Sequence, residues 1–163
     1  MKTIRKINDA MARVETWILV AITLFMVFGA FLQVVLRGLF NTGFEWGDIV
    51  IRHLVLWIGF IGASLATKQE KHINIDVFAR FAGKKHKTIA RIVTDIFAII
   101  ISLILAKAGY DFVLSEIEFS SPLFGNVKPY YFEIIIPIGY LLIALRFLFN
   151  LIDYLAEAGG NSQ

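Results

Sequence analysis

Long apolar runs alternate with short charged stretches along this chain, and the alternation predicts four membrane-spanning helices. The runs cover about Trp17–Leu36, Ile49–Ala66, Ile89–Tyr110 and Phe132–Ile152. Each holds roughly 18–22 residues, which at about 1.5 Å per residue crosses a hydrocarbon core of roughly 30 Å. The second run is the shortest and is expected to begin before Ile49, so the spans are placed at 17–36, 46–66, 89–110 and 132–152. Backbone groups in lipid find hydrogen-bond partners only within their own segment, which makes the spans helices. The chain is therefore expected to be all-α, a polytopic membrane protein forming one domain over residues 1–163.

Two weaker patterns flank the spans. Over residues 1–16 an amphipathic arm carries the stripe Ile4, Ile7, Met11, Val14 and Ile18, suited to lying on the membrane surface or to extending the first span. Over 74–82, between the second and third spans, Asn74 can cap a short helix with the stripe Ile75, Phe78, Ala79 and Ala82, and Gly83 can end it. That segment is expected to lie in the membrane interface as a short amphipathic helix.

Composition agrees with the pattern, and charge adds an orientation. The chain is 58% hydrophobic, with a mean hydropathy of +0.71, too apolar for a soluble domain. Lys2, Arg5, Lys6 and Arg13 precede the first span, and Lys68, Lys71, Arg80, Lys84, Lys85 and Lys87 fill the second connection. The first and third connections carry only Arg37 and Lys128, the latter against Asp111, Glu116 and Glu118. The positive-inside rule then places both chain ends, with a tail at 153–163, and the second connection in the cytoplasm. The sequence pI near 9.2 is thus a matter of topology, and no nucleic-acid partner is expected. The apolar run at 17–36 is too long for a signal peptide, and no small-x-small cleavage pattern follows it, so the span is read as retained.

The second span differs from its neighbours. Glu45, Asp48, Arg52, Gly59, Gly62, Ala63 and Ala66 recur by steps of three, four and seven and so share a helix face. That face is polar at one end and small along the rest. Lipid tails do not call for such a face, whereas a packed neighbour does. Trp46, His53 and Trp57 accompany it, with Asp48 and Arg52 expected to pair and His53 and Trp57 to stack. The third connection mixes acids and aromatics (Glu116, Glu118, Phe119, Phe124), which suits either a docking surface for an outside partner or an ordered loop packed on the bundle.

Candidate chemistry is sparse. No carboxylate sits alone at mid-depth, where proton and ion carriers keep one. Arg91 and Asp95 can pair, and Arg146 lies less than two turns from the end of its span with Asn150 and Asp153 below it. Pro137 is expected to kink the fourth span or end its first turn. The chain has no cysteine, so disulfides, iron–sulfur clusters and thiolate metal sites are excluded. Its three histidines (His53, His72, His86) match neither a bis-histidine haem nor a zinc spacing. No nucleophile–base set, phosphate-binding glycine loop or catalytic carboxylate pair is visible, so no enzyme activity and no cofactor are expected.

Several pieces also occur in an order that resembles a known family. Gln33-x-x-x-Arg37-x-x-Phe40 closes the first span. Trp46-x-Asp48-x-x-x-Arg52 opens the second, with Trp57 and Gly62-Ala63 following. His72-Ile73-Asn74-Ile75-Asp76 comes after Lys68 and Lys71. This set, over about residues 33–78, resembles the small (Q-type) membrane subunit of tripartite ATP-independent periplasmic, or TRAP, transporters. That family often carries two adjacent acids after the tryptophan, whereas here Ile49 follows Asp48. The resemblance implies a bacterial inner-membrane scaffold. Its partners would be a large (M-type) permease subunit, which holds the substrate and ion sites, and a periplasmic substrate-binding protein. Uptake would be of an organic acid such as sialic acid or a C4-dicarboxylate, driven by an ion gradient, usually sodium. Two other classes stay open on the residues alone: a small self-sufficient oligomeric transporter, with Gln33 and Ser64 as the available lining, and a haem- or quinone-binding anchor of a redox complex.

Overall fold

The computed structural model describes residues 2–69, 84–119 and 121–160. Among them are five helices: α1 (Lys2–Phe40), α2 (Glu45–Gln69), α3 (Lys84–Phe119), α4 (Tyr130–Glu133) and α5 (Ile135–Gly160). Four apolar helical stretches, 6–40, 46–68, 88–119 and 130–156, are long enough to cross a membrane. The expected interfacial helix at 74–82 and the motif residues His72, Asn74 and Asp76 lie outside the described residues.

The helices run past the expected spans. α1 is continuous from Lys2, so the arm prolongs the first span instead of folding onto the surface. Its exposed residues include Ile7, Val14 and Ile18 from the expected stripe, while Asn8, Ala12 and Glu15 are buried. The arm is thus inside-out relative to a soluble amphipathic helix: lipid takes the apolar face and the bundle takes the polar one. α3 continues to Phe119, which puts Glu116 and Glu118 on a helix and shortens the expected loop.

α1 ends where Asn41 adopts the left-handed conformation (φ 50°), which asparagine tolerates better than most residues. Thr42 N–H then closes on the Leu36 carbonyl at 3.3 Å. Between α3 and α4 the chain makes a tight turn at Phe124–Val127, with Val127 N–H donating to the Phe124 carbonyl at 3.0 Å. Gly125 supplies the positive φ (+54°) that this turn requires.

α4 and α5 are one span with a break at Ile134. Pro137 cannot donate to the Glu133 carbonyl and its ring crowds it, so the helix parts just upstream of the proline. Elsewhere polar side chains close on their own helix: Thr16, Thr23 and Thr67 donate to the carbonyls of Ala12, Leu19 and Ala63 at 2.7, 2.8 and 2.9 Å. Such back-bonding satisfies a hydroxyl where no water is present.

Packing orders the spans as α1, α2, α5, α3, with α1 meeting α5 only narrowly. Two glycines let the helices close. A Cβ at Gly139 would lie 2.5 Å from Cδ1 of Phe60, so α2 and α5 approach only because that position is bare. A Cβ at Gly109 would lie 2.9 Å from Cγ2 of Ile136, where α3 meets the start of α5. Phe60 also sits edge-on to Tyr140, with ring centroids 5.0 Å apart.

Candidate partner face and polar anchors

Two polar clusters, one near each end of the bundle, fix α2 and so decide which of its faces is left over. The first gathers on Gln33. This buried side chain in α1 donates to the Phe44 carbonyl at 2.8 Å and to Asp48 Oδ1 at 3.1 Å. Arg37, in the last turn of α1, pairs with the other oxygen of Asp48. The expected Asp48–Arg52 pair is therefore not formed. The α1–α2 turn brings Arg37 to the carboxylate first, and a cation at a helix C-terminus also meets the favourable end of the dipole. Gly47 lets the backbone pass, since a Cβ there would lie 3.1 Å from Gln33 Oε1.

His53 and Trp57 do not stack on each other. His53 Nδ1–H donates to the Ile49 carbonyl at 2.8 Å, which fixes its tautomer, and its ring lies 5.1 Å from that of Phe132. Trp57 Nε1–H donates to the Phe132 carbonyl at 3.0 Å, beside the α4–α5 break. This bond explains a tryptophan set deeper than an interfacial belt would place it. Trp46 packs on Phe44 and Phe124, with centroids 5.4 and 6.3 Å away. Phe124 therefore belongs to the bundle, while Phe119 is exposed.

The second cluster centres on Arg146, whose side chain is 0% exposed. Its Nη2 donates to Glu15 Oε2 at 2.6 Å, its Nη1 to the side-chain oxygen of Asn8 and, at 3.0 Å, to the Asn8 carbonyl. Its Nε reaches Ser64 Oγ at 3.4 Å, and Ser64 in turn donates to Glu15 Oε1 at 3.0 Å. One guanidinium thus joins α1, α2 and α5. One turn on, Asn150 donates to the Thr67 carbonyl at 3.0 Å, satisfying a group that the last turn of α2 leaves open. Nearby, Arg91 lies 4.0 Å from Asp95 and 4.6 Å from the centre of the Tyr154 ring, while the Tyr154 hydroxyl donates to Thr88 Oγ1 at 2.9 Å. No sequence motif pointed to Asn8 or Glu15. Their spacing with Ala12, by four and three, was the available signal.

With Ile61, Ser64 and Thr67 turned inward, the opposite side of α2 is open. Arg52, Val55, Leu56, Gly59, Ala63 and Ala66 are exposed there, and a Cβ on Gly59 would meet nothing within 4 Å. Gly62 lies at the edge of this face, within reach of Leu19. Among the described side chains, Arg52 has no ion-pair partner. The residues grouped by sequence as one partner face thus divide. Asp48 serves the α1–α2 junction, His53 and Trp57 serve the α4–α5 break, and Arg52, Gly59, Ala63 and Ala66 remain outward.

Fold and site together define a multi-pass membrane protein whose buried polar groups serve its own architecture. Among the described residues, no three His, Cys, Asp or Glu side chains gather as a metal site. Residues 26–157 match the family described as tripartite ATP-independent periplasmic transporters, DctQ component, and the chain belongs to that family. Members are transporter membrane subunits of the bacterial inner membrane and not enzymes. A Haemophilus influenzae protein described as a TRAP transporter small permease protein is 29% identical over 80 residues, 49% of this chain and 50% of that protein. The C4-dicarboxylate TRAP transporter small permease protein DctQ of Pseudomonas aeruginosa is 20% identical over 106 residues, 63% of this chain and 50% of that protein. This chain spans about half the length of the curated relatives it matches.

Proposed function

We propose that this chain is the small permease subunit of a TRAP transporter, a fixed membrane scaffold that holds a large permease subunit through the open face of α2. Family membership supports the class of protein. The observation that carries the surface is the uncovered stripe of Arg52, Gly59, Ala63 and Ala66, beside an inward face fully engaged by α1 and α5. Small residues at such spacing let two helix backbones approach closely in lipid. Arg52 lies about two turns into α2 and offers a guanidinium to a carboxylate on the incoming helix. Both chain ends face the cytoplasm in this reading. The α1–α2 and α3–α4 connections then face the periplasm, where Glu116, Glu118 and Phe119 would meet a substrate-binding protein. Uptake would be driven by an ion gradient, sodium by preference, and the cargo would be an organic acid such as a C4-dicarboxylate or sialic acid.

Co-purification tests the surface. A tagged wild-type chain should bring down a larger multi-span permease, and Gly59→Leu combined with Ala63→Leu should abolish that yield while leaving the helicity of the isolated chain unchanged. Undiminished complex formation by the double variant would show that this face meets lipid. Orientation has its own test. The chain lacks native cysteine, so a single cysteine at position 85 should resist an impermeant thiol reagent in intact cells, and one at 122 should react.

A further inference from the structure

A second surface, on the other flank of α2, has no part in that scaffold reading. Between α1 and α2, at the end of the bundle that holds Arg146, lies an open groove of about 540 Å³ lined by Asp9, Ala12, Arg13, Thr16, Trp17, Leu65 and Lys68. Its depth is set by the sequence. The apolar run of α1 begins at Trp17 and that of α2 ends at Ala66, so the groove opens where hydrocarbon gives way to headgroups. Trp17 is 75% exposed at its rim, the position of an interfacial tryptophan. The groove is also cationic. Lys68 Nζ is held by Asp9 Oδ1 at 2.7 Å, and that pair is neutral as a unit. Arg13 is exposed and makes no ion pair among the described residues, which leaves one net positive charge.

We propose that this groove binds the headgroup of an anionic phospholipid, with the phosphodiester on the Arg13 guanidinium and the Lys68 ammonium, and the acyl chains running down beside Trp17 and Leu65. Three features converge on that occupant. A planar guanidinium forks onto two phosphate oxygens. A tryptophan at the rim suits the carbonyl and glycerol level of a lipid. The apolar wall at Trp17 and Leu65 leads into the apolar runs of α1 and α2, a path that a water-soluble anion would not use. The Asp9 carboxylate is the one repulsive group, and it sets the sign of the sharpest test.

The experiment is native mass spectrometry of the full-length chain released from mixed micelles of phosphatidylglycerol and phosphatidylcholine, with quenching of Trp17 by headgroup-proximal brominated phosphatidylglycerol as a second readout. Wild type should retain phosphatidylglycerol in preference to phosphatidylcholine. Arg13→Gln should lower that retention about fivefold, the worth of one basic side chain near a charged lipid surface. Asp9→Asn should raise it by a similar factor, because it frees Lys68; a merely structural role for the Asp9–Lys68 pair predicts a loss instead. Trp17 fluorescence should be quenched more in wild type than in Arg13→Gln. Equal retention of the two lipids by wild type, an unchanged Arg13→Gln, or displacement of phosphatidylglycerol by excess inorganic phosphate would each overturn the proposal.

Discussion

The two polar anchors of this bundle solve the same problem under different constraints. Both fasten α1 to a neighbouring helix with a carboxylate and an arginine, to α2 in one case and to α5 in the other. At one end the pair is Arg37–Asp48, with side chains 57% and 46% exposed. At the other it is Arg146–Glu15, at 0% and 9%. Water and headgroups can serve the first pair if it breaks, so its geometry needs few supports. Nothing replaces a lost partner in the second, and its guanidinium is accordingly surrounded by oxygens of Asn8, Glu15 and Ser64. Burial, more than the number of charges, decides how completely a membrane protein must satisfy an ion pair.

If that contrast is right, Arg146→Leu is the most damaging single change. It leaves the Glu15 carboxylate buried without its cation, at a cost of about 3–5 kcal/mol. Thermal unfolding of the purified chain in detergent should register a large fall in Tm, and adding Glu15→Leu should recover most of it. An Arg146→Leu variant no less stable than Arg37→Leu would collapse the distinction between the two ends.

The same contrast between filled and open ground runs along the helices. Gly139→Ala forces a methyl into Phe60 and should destabilise by about 1–3 kcal/mol. Gly59→Ala, facing open space, should stay within about 0.5 kcal/mol in the isolated chain. Equal Tm values for the two variants would place Gly139 outside the packed interface.

At the milder anchor, Gln33→Leu should cost about 1 kcal/mol through the lost bond to the Phe44 carbonyl. Arg37→Ala should cost less than about 1 kcal/mol, because solvent screens the pair. Repeating the Arg37→Ala measurement at about 1 M salt, where the screening length is near 3 Å, should erase its effect and leave that of Gln33→Leu. A salt-insensitive Arg37→Ala would mean that this pair is more deeply set than its exposure indicates.

Hydropathy alone made the spans legible, because lipid dictates both the length and the apolarity of a crossing helix. Parts of the Arg37–Asp48 anchor were legible as well: Gln33, Arg37, Trp46 and Asp48 stood out as separate pieces. Their pairing was not, because spacing arguments favour neighbours on one helix, Asp48 with Arg52, over a partner across a turn. The Arg146 anchor was hidden by distance, since Glu15 and Arg146 are 131 residues apart. The stripe Ile7, Val14, Ile18 was legible as the membrane-facing side of the arm, and the helix takes the second of its two expected placements, an extension of the first span. In water an apolar stripe marks the buried face, whereas α1 gives that stripe to lipid and buries Asn8, Ala12 and Glu15. A polar stripe beside a span was the clue to the interior, repeated at Ser64 and Thr67 on α2 and at Arg146, Asn150 and Asp153 on α5.

That same separation of 131 residues sets a clock on biogenesis. A ribosome adds about 5–20 residues per second, so on the order of ten seconds pass between the synthesis of Glu15 and that of Arg146. Through that interval α1 and α2 can pair as a hairpin while their shared carboxylate waits for its cation. α3 and α5 close as the second hairpin, and only its docking delivers the guanidinium. Until the last span arrives, the first two helices stay half-sealed, and a chain that stalls earlier displays an unneutralised acid at the membrane edge.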